Sequence, residues 1–316
     1  MSSTTCYGYD AHFSITDQYW ELTAQEQFEF KQLQSLLSDV VYWKNKPEVV
    51  VRYLRARRGN VDDAAQMFRN MVKWRLNNNV DSVLESYNPP SILREYFPGA
   101  ILQGRDYQGD PIFVARSGST DLAALIKRYG REEMVQHAIW LRESLTNGPW
   151  LEEYEREQGR PVRTVTLVED LHGLSRKHLS RKVLSIIGEI LTLDQANYCE
   201  LAKKIIIIRA PTIFTWAWAL AKPFFDPGVV EKMVFCGVND YRRVLSEFME
   251  LEVLPSCIVP EGKGGVAISM PPRLEGGPPP IHEERDVESL LLSKKAGGQE
   301  ELICFVKGKT ICCGKF

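Results

Sequence analysis

The chain has 316 residues, a length that suits one large α/β domain or a main domain with a smaller attachment. Its apolar fraction of 44% and charged fraction of 25% are close to soluble-globular averages and exclude wholesale disorder, a collagen-like repeat and a disulfide-scaffold miniprotein. The formal net charge of -2 lacks the basic excess of a dedicated nucleic-acid binder, so no nucleic-acid partner is expected.

Cysteine spacing and hydropathy indicate a soluble protein of the cytoplasm. The seven cysteines form no regular framework and no signal peptide is recognisable, so a reducing cytosol is expected. The longest apolar run, 205–221, is interrupted by Arg209 and Pro211, which argues against a transmembrane helix. Cys313 has the place of a prenylated cysteine, but Gly314 and Lys315 stand where aliphatic residues are required, and we treat the match as coincidence.

The N-terminal part of the chain is predicted to be helical. Residues 1–20 are polar and rich in Ser and Thr, which predicts a flexible arm. Apolar residues at three- and four-residue spacing predict a helix over 22–37, and Pro47 opens a second helix that extends to Arg57. Asn60 is a suitable N-cap for a third. A helical segment is thus predicted over 21–80, and Asn88-Pro89-Pro90 marks the exit from it.

Short β-type runs alternate with helical stretches from Gly109 onward. Strands are predicted at 111–115, 163–168, 204–209 and 233–236, and helices at 131–154, where Gly148-Pro149 breaks the pattern, and at 178–193. This order predicts an α/β domain over 81–265 with a mostly parallel sheet and crossover helices. Both faces of Ile205–Ile208 are apolar, which predicts that this strand lies in the middle of the sheet.

The C-terminal part changes in composition. Glycines and prolines accumulate between Gly262 and Pro280, so a linker is predicted over 266–285. In the tail, 286–316, two β-type runs at 301–304 and 310–312 predict a hairpin, which is marginal in water unless it docks on something.

Catalytic signatures are missing. A phosphate-binding loop, a nucleophile elbow and a His-Glu-x-x-His motif are absent. Gly262, Gly264 and Ala267 have the spacing of a dinucleotide fingerprint, but no helix can open there because Pro271-Pro272 follows closely, so neither an enzyme, a cofactor nor a metal is expected. The nearest candidates are His172 with His178 and the carboxylates Glu169 and Asp170. Surface or capping roles are favoured for the histidines because no further metal ligand accompanies them, and a capping role is favoured for the carboxylates because no nucleophile or base does.

The stretch from Phe214 to Gly228 places tryptophans and phenylalanines among small alanines and breaks at two prolines. One hypothesis is a core helix. The other is a mobile lid that covers a lipid-sized cavity and whose aromatic residues settle at a bilayer surface. The two hypotheses differ in the exposure that they require of the aromatic side chains.

Over roughly 48–265 the chain resembles the CRAL-TRIO lipid-binding family, the Sec-fourteen-like phosphatidylinositol transfer proteins and their relatives. The motifs that carry the resemblance are Arg52-Tyr-Leu-Arg-Ala-Arg57, Lys73-Trp74-Arg75, Val168-Glu-Asp-Leu-His-Gly173, Asn197-Tyr-Cys-Glu200, Ile208-Arg-Ala-Pro211, Lys222-Pro-Phe-Phe-Asp-Pro227 and Leu254-Pro255 before Gly264-Gly265. The resemblance implies a helical N-terminal piece followed by an α/β domain with a large apolar pocket behind a gate helix.

The resemblance also implies residue roles. The headgroup of phosphatidylinositol would contact Arg57, Glu200 and Lys232, with Arg58 assisting: cations neutralise the phosphodiester and a carboxylate accepts hydrogen bonds from inositol hydroxyls. Hinges would lie at Pro211, Pro227 and Gly228. The residues assigned to the pocket or gate are Phe214, Trp216, Trp218, Leu220, Phe224, Phe225, Val165 and Leu167.

The sequence departs from the family pattern at the ligand. Val229 stands where phosphatidylinositol binders often have threonine. Val165 and Leu167 stand where members that also bind phosphatidylcholine carry hydroxyls, so binding of choline lipids is not expected. Thr164 and Thr166 carry hydroxyls on the opposite face of the strand.

These observations predict a lipid-binding and transfer protein, peripheral on membranes, that exchanges a phospholipid, with phosphatidylinositol favoured, between bilayers. Two alternatives stay open: a carrier of a tocopherol-, retinoid- or squalene-like lipophile, and a lipid-sensing regulatory module. In the second alternative the tail, which resembles the opening strands of a GOLD domain, would contact a protein partner.

Overall fold

The computed structural model describes residues 22–40, 47–97, 99–263, 267–269, 302–306 and 310–314. The chain divides into two compact units, Met1–Asn78 and Asn79–Phe316. The predicted flexible arm, 1–20, and most of the predicted linker, 266–285, lie outside the described residues. Among the described residues, no helix combines the length and apolar character needed to cross a bilayer.

The described part of the first unit contains the helices α1 (Ala24–Leu36), α2 (Pro47–Ala56) and α3 (Val61–Asn77), close to the predicted bounds. Thr23 begins α1 through a reciprocal capping box with Glu26, in which the Glu26 N–H donates to Thr23 Oγ1 at 3.1 Å and the Thr23 N–H donates to Glu26 Oε2 at 2.9 Å. The predicted N-cap Asn60 accepts the Asp63 N–H at 3.1 Å. Local capping chemistry therefore positions these helices.

The second unit is a mixed α/β fold, as predicted. Its helices are α4 (Val83–Ser86), α5 (Ser91–Tyr96), α6 (Leu122–Asn147), α7 (Trp150–Gln158), α8 (Arg181–Asn197), α9 (Ile213–Ala221), α10 (Pro227–Glu231) and α11 (Tyr241–Leu245). Its sheet consists of β1 (Ala100–Arg105), β2 (Pro111–Ala115), β3 (Val165–Asp170), β4 (Ala202–Ile208), β5 (Met233–Phe235) and β6 (Ala267–Ser269). The strand order is β5-β4-β3-β2-β1-β6. Strands β2 to β5 are parallel, and β1 pairs antiparallel with both β2 and β6.

The predicted helix over 131–154 is two helices. The break at Gly148-Pro149 is confirmed, because α6 ends at Asn147 and α7 begins at Trp150. Helix α6 starts at Leu122, but Gly130, with φ +80° and ψ 177°, divides it into two helical segments, and the second begins at the predicted start, Arg131. Glycine adopts a positive φ readily, so the break falls at a residue that permits it.

The predicted position of β4 in the middle of the sheet is wrong. The strand lies beside the short edge strand β5, and β3 and β2 occupy the middle. An apolar character on both faces does not fix the position of a strand in the sheet, since any strand with a neighbour on each side can have it.

The two faces of the parallel strands differ in burial. On the face that we call the core face, Val168, Ile206 and Ile208 are fully buried against the segment 244–259. The opposite face, which we call the open face, carries Phe113, Leu167, Glu169, Ile205, Ile207, Met233 and Phe235, as the strand register requires.

The tail contains the predicted hairpin. Its strands are β7 (Leu302–Val306) and β8 (Thr310–Gly314), paired antiparallel with Cys304 opposite Cys312. The comparison of the tail with a GOLD domain stays a prediction.

Candidate functional site

The open face of the sheet is incompletely covered. Leu167 and Ile205 lie on strands with a neighbour on either side and are still partly exposed, whereas the adjacent residues Val168 and Ile206 on the core face are 0% exposed. Helices packed at ordinary density would bury both faces equally. The open face therefore borders space that an apolar ligand can occupy.

Helix α9 lies against the edge of this space through an aromatic cluster. Trp218 contacts Phe235 of β5, with ring centroids 4.9 Å apart, and Phe225 at 5.5 Å, and Phe214 lies 5.8 Å from Phe235. Trp216 points away and is 77% exposed. The two hypotheses for this stretch thus apply to different faces of one helix. The side chains of Leu220 and Phe224, which were also assigned to the gate, lie outside the description.

The predicted hinge residues flank α9. Pro211 precedes the helix, and Pro227 occupies the first turn of α10, where Asp226 accepts the Gly228 N–H at 2.8 Å. The Asp226 N–H donates to Gln195 of α8 at 2.6 Å. A change in the position of α9 would therefore concentrate its backbone rotations at these two ends.

The structure brings two of the predicted headgroup residues together. Lys232 Nζ donates to Glu200 Oε2 at 2.5 Å, and both side chains are 24% exposed. Glu200 precedes β4 and Lys232 precedes β5, so the pair lies at the amino-terminal edge of neighbouring parallel strands. Glu200 has φ +57°, a conformation that costs a non-glycine residue about 1 kcal/mol and that often marks a functional position.

Arg57 and Arg58 belong to the first unit. Arg57 follows the end of α2, where its Nη1 donates to the Ala56 carbonyl at 3.0 Å, and Arg58 has φ +51°. Glu200 and Lys232 belong to the second unit. The roles of the two arginines in headgroup binding stay predictions.

A buried charge cluster lies at the carboxyl ends of β3 and β4, and sequence reasoning recovered only part of it. Asp170 accepts the His172 N–H at 3.0 Å, which is the predicted capping role. It also pairs with Arg116 at 3.1 Å and with Arg209 through two hydrogen bonds of 2.9 and 2.5 Å. Burial alone would lower the pKa of Arg209, but its hydrogen bonds to Asp170 outweigh burial and raise that pKa. Sequence spacing carries no signal for the contact with Arg116.

A second polar group lies on the open face, and Glu169 is the one member of it that the sequence had singled out, as a capping carboxylate. Glu169 accepts the Ser117 N–H at 3.2 Å, and burial raises the pKa of this carboxyl to about 7 despite that bond. Arg142 of α6 forms a forked ion pair with Asp194 of α8, at 2.9 and 2.8 Å, and its charge acts on Glu169. We call Glu169, Arg142 and Asp194 the interior polar cluster.

The histidine pair has no shared site. His172 is exposed, whereas His178 is buried and its Nε2 lies 3.0 Å from the Thr120 carbonyl oxygen. Within the described ranges, no group of three or more His, Cys, Asp or Glu side chains is arranged to hold a metal ion.

Family models match both units. The CRAL/TRIO domain model matches residues 99–258, and the model of the CRAL/TRIO N-terminal domain matches residues 29–70. The chain belongs to the CRAL/TRIO family. The match to the CRAL/TRIO domain includes α6, α8, α9 and strands β2 to β5. The open face therefore lies within the matched region.

Similar proteins span several animals and a fungus. The chain is 30% identical over 256 residues to the SEC14 cytosolic factor of Eremothecium gossypii, and the alignment covers 78% of this chain and 82% of that protein. It is 29% identical over 238 residues to "Protein real-time" of Aedes aegypti, and that alignment covers 74% of this chain but 35% of that protein. The chain therefore spans about a third of the length of the real-time proteins. A solved structure of Sfh5 has the same fold, with a TM-score of 0.59 at 15% identity over 86% of this chain and 98% of that one.

Proposed function

We propose that the protein binds phosphatidylinositol with its acyl chains on the open face and exchanges it between membranes. The observation that carries the proposal is the Glu200–Lys232 pair at one edge of a partly exposed apolar face. An ammonium group beside a carboxylate offers a counter-charge for a phosphodiester and an acceptor for inositol hydroxyls.

The energetics of transfer require an enclosed ligand. At about 0.8 kcal/mol per buried methylene, one acyl chain gains on the order of 10 kcal/mol on leaving water.

Exchange also needs an exit at the bilayer. Helix α9, bounded by Pro211 and by Pro227, is the element suited to open one, and no covalent chemistry is required.

Replacement of the cation tests the headgroup assignment. We expect Lys232→Ala to lower phosphatidylinositol transfer between vesicles at least tenfold, because the phosphate loses its counter-charge, and Arg57→Ala combined with it to abolish transfer. Lys222→Ala, which removes an exposed lysine near α9, is the matched control. Unchanged transfer by the double variant, with an unchanged melting temperature, would refute the assignment.

A second candidate ligand is a neutral lipophile. Val165 is buried and Leu167 partly exposed on the open face, and neither offers a hydroxyl to a phosphocholine headgroup. Mass spectrometry of the lipids extracted from the purified protein distinguishes the candidates: phosphatidylinositol supports the leading proposal, and a sterol, prenol or hydrocarbon supports the second.

A further inference from the structure

We propose that Cys304 and Cys312 of the C-terminal hairpin form a cross-strand disulfide when a hydroperoxide oxidises them, and that this bond closes the hairpin reversibly. The proposed lipid exchange uses the open face and helix α9. The disulfide concerns the tail alone, so it is independent of which lipid the protein binds.

The strand register places the two cysteines directly opposite each other. Strands β7 and β8 pair antiparallel, with Cys304 opposite Cys312 and Ile303 opposite Cys313. Directly opposite residues of an antiparallel pair have Cα atoms about 4.5 or about 5.5 Å apart, depending on the hydrogen-bond pattern. Both values lie within the range that a disulfide spans, about 4.4 to 6.8 Å. The paired backbone can therefore accept a bond between Cys304 and Cys312 without rearrangement.

The register also distinguishes Cys312 from its neighbour Cys313. Successive residues of a strand lie on opposite faces, so Cys312 shares a face with Cys304 and Cys313 does not. In a chain without the hairpin, both cysteines would reach Cys304 about equally well, because loop closure depends only weakly on the length of the loop. A preference of Cys304 for Cys312 is thus the signature of the paired strands.

Local charge and burial favour oxidation at the hairpin over the cysteines of the α/β unit. Residues 302–316 include three lysines and no Asp or Glu. Neighbouring cations favour the thiolate, which is the reacting form of cysteine. Cys199, Cys236 and Cys257 are instead buried, and burial raises the pKa of the Cys236 thiol to about 11. Peroxide should therefore oxidise the hairpin first.

The peroxide supplies the oxidant for a balanced reaction. One thiolate attacks an oxygen of hydrogen peroxide, the O–O bond breaks, and hydroxide leaves while the sulfur becomes a sulfenic acid. The second thiolate attacks this sulfur, so that the S–S bond forms and the S–O bond breaks with loss of a second hydroxide. The two thiol protons convert both hydroxides into water, and the two sulfurs together lose two electrons. A dithiol reductant reverses the closure by thiol–disulfide exchange.

The disulfide would make the hairpin more stable. A two-stranded hairpin without further packing is marginal in water. A bond between its strands removes conformational freedom from the open chain and so favours the paired state. We expect oxidation to slow amide hydrogen exchange severalfold in β7 and β8 and to leave exchange in β2 to β5 unchanged.

The test uses the full chain, which is reduced with dithiothreitol, desalted and exposed to hydrogen peroxide in the folded state. Free thiols are then blocked with N-ethylmaleimide, and tryptic peptides are analysed by mass spectrometry. Because trypsin cleaves after lysine, the disulfide joins peptide 296–307 to peptide 310–315. We expect this cross-linked species in the wild type and in the matched control Cys313→Ser. Cys312→Ser should give about tenfold less of it, because only Cys312 has the register that disulfide geometry accepts.

Every other pattern of cross-links overturns the proposal. Such patterns are equal amounts of the species in the two variants, no cross-link at all, a bond between Cys312 and Cys313, a bond to Cys6, and a disulfide between two chains on a non-reducing gel. Unchanged amide exchange in β7 and β8 on oxidation would refute closure of the hairpin. The melting temperature of each variant is measured as well, and we expect it to equal that of the wild type.

Discussion

His137 of α6 is a fully buried imidazole among aromatic rings. It stacks on Trp140 with centroids 5.3 Å apart and meets the edge of Phe97 at 4.8 Å. Neither ring nitrogen has a hydrogen-bond partner. Burial, with Arg142 and Arg94 adding repulsion, lowers its pKa to about 3. The ring therefore remains neutral in the native state down to strongly acidic pH, and the unfolded chain takes up the proton first.

This residue makes a prediction about acid stability. An unfolded histidine titrates near 6.5, so the unfolded state binds more protons than the native state between about pH 6.5 and 3, and stability falls as the pH falls through that window. We expect His137→Phe to remove about 3 kcal/mol of the loss between pH 7 and pH 4. Urea unfolding at the two pH values measures it, with His172→Phe as an exposed control. An equal pH dependence in wild type and H137F would contradict the prediction.

One side of helix α9 packs against aromatic side chains, and the other side is exposed to solvent. Trp218 packs against Phe235 and Phe225, whereas Trp216 is 77% exposed. An exposed tryptophan is suited to the interface between water and lipid, where its ring is partly desolvated and its N–H keeps a polar partner.

The two tryptophans form a matched pair for experiment. We expect Trp216→Ala to lower binding to vesicles and the rate of transfer severalfold, with the extracted lipid and the melting temperature unchanged. Trp218→Ala should instead destabilise the fold by about 2 kcal/mol, because a packed ring is lost. Flotation with vesicles and thermal unfolding measure the two effects, and identical behaviour of both variants would refute the division of the helix.

Buried ion pairs link the carboxyl ends of β3 and β4. Asp170 is 0% exposed and is shared by Arg116 and Arg209, and Arg209 has φ +51° just before Pro211 and the start of α9. Arg209 also donates to the Cys257 carbonyl at 3.1 Å. The cluster thereby anchors the base of α9 to the sheet and to the C-terminal segment.

Removal of the shared charge should be costly. Asp170→Asn leaves two guanidinium groups in the interior without their carboxylate, which typically costs about 3 kcal/mol or more. Urea unfolding at pH 7 measures the loss, and Glu231→Gln, an exposed carboxylate, is the control. A loss below about 1 kcal/mol would show that water reaches the cluster and replaces the carboxylate.

At the scale of the whole molecule, the chain combines a helical unit with a mixed α/β unit, and both match CRAL/TRIO models. The chain spans most of the SEC14 cytosolic factor but about a third of the real-time proteins. The transfer function, the ligand and any protein partner of the tail are therefore best tested on the full chain rather than inferred from relatives of different length.

Sequence patterns predicted the elements whose signals are local. Asn60 caps α3, Pro47 begins α2 and Pro111 begins β2, because caps, prolines and apolar periods act within a few residues. Strands β1 and β6 escaped prediction. For β6 the reason is that its partner β1 lies far away along the chain, so no local pattern signals the pairing.

The sequence by itself determined the fold class, the family and most helix and strand bounds, because each rests on neighbouring residues. Only the tertiary structure decided which charges meet: Lys232 and Glu200 are 32 positions apart, Arg142 and Asp194 are 52, and Arg116 and Asp170 are 54. Parallel strands and crossover helices bring such residues to one sheet edge or one face, and no local pattern encodes that pairing.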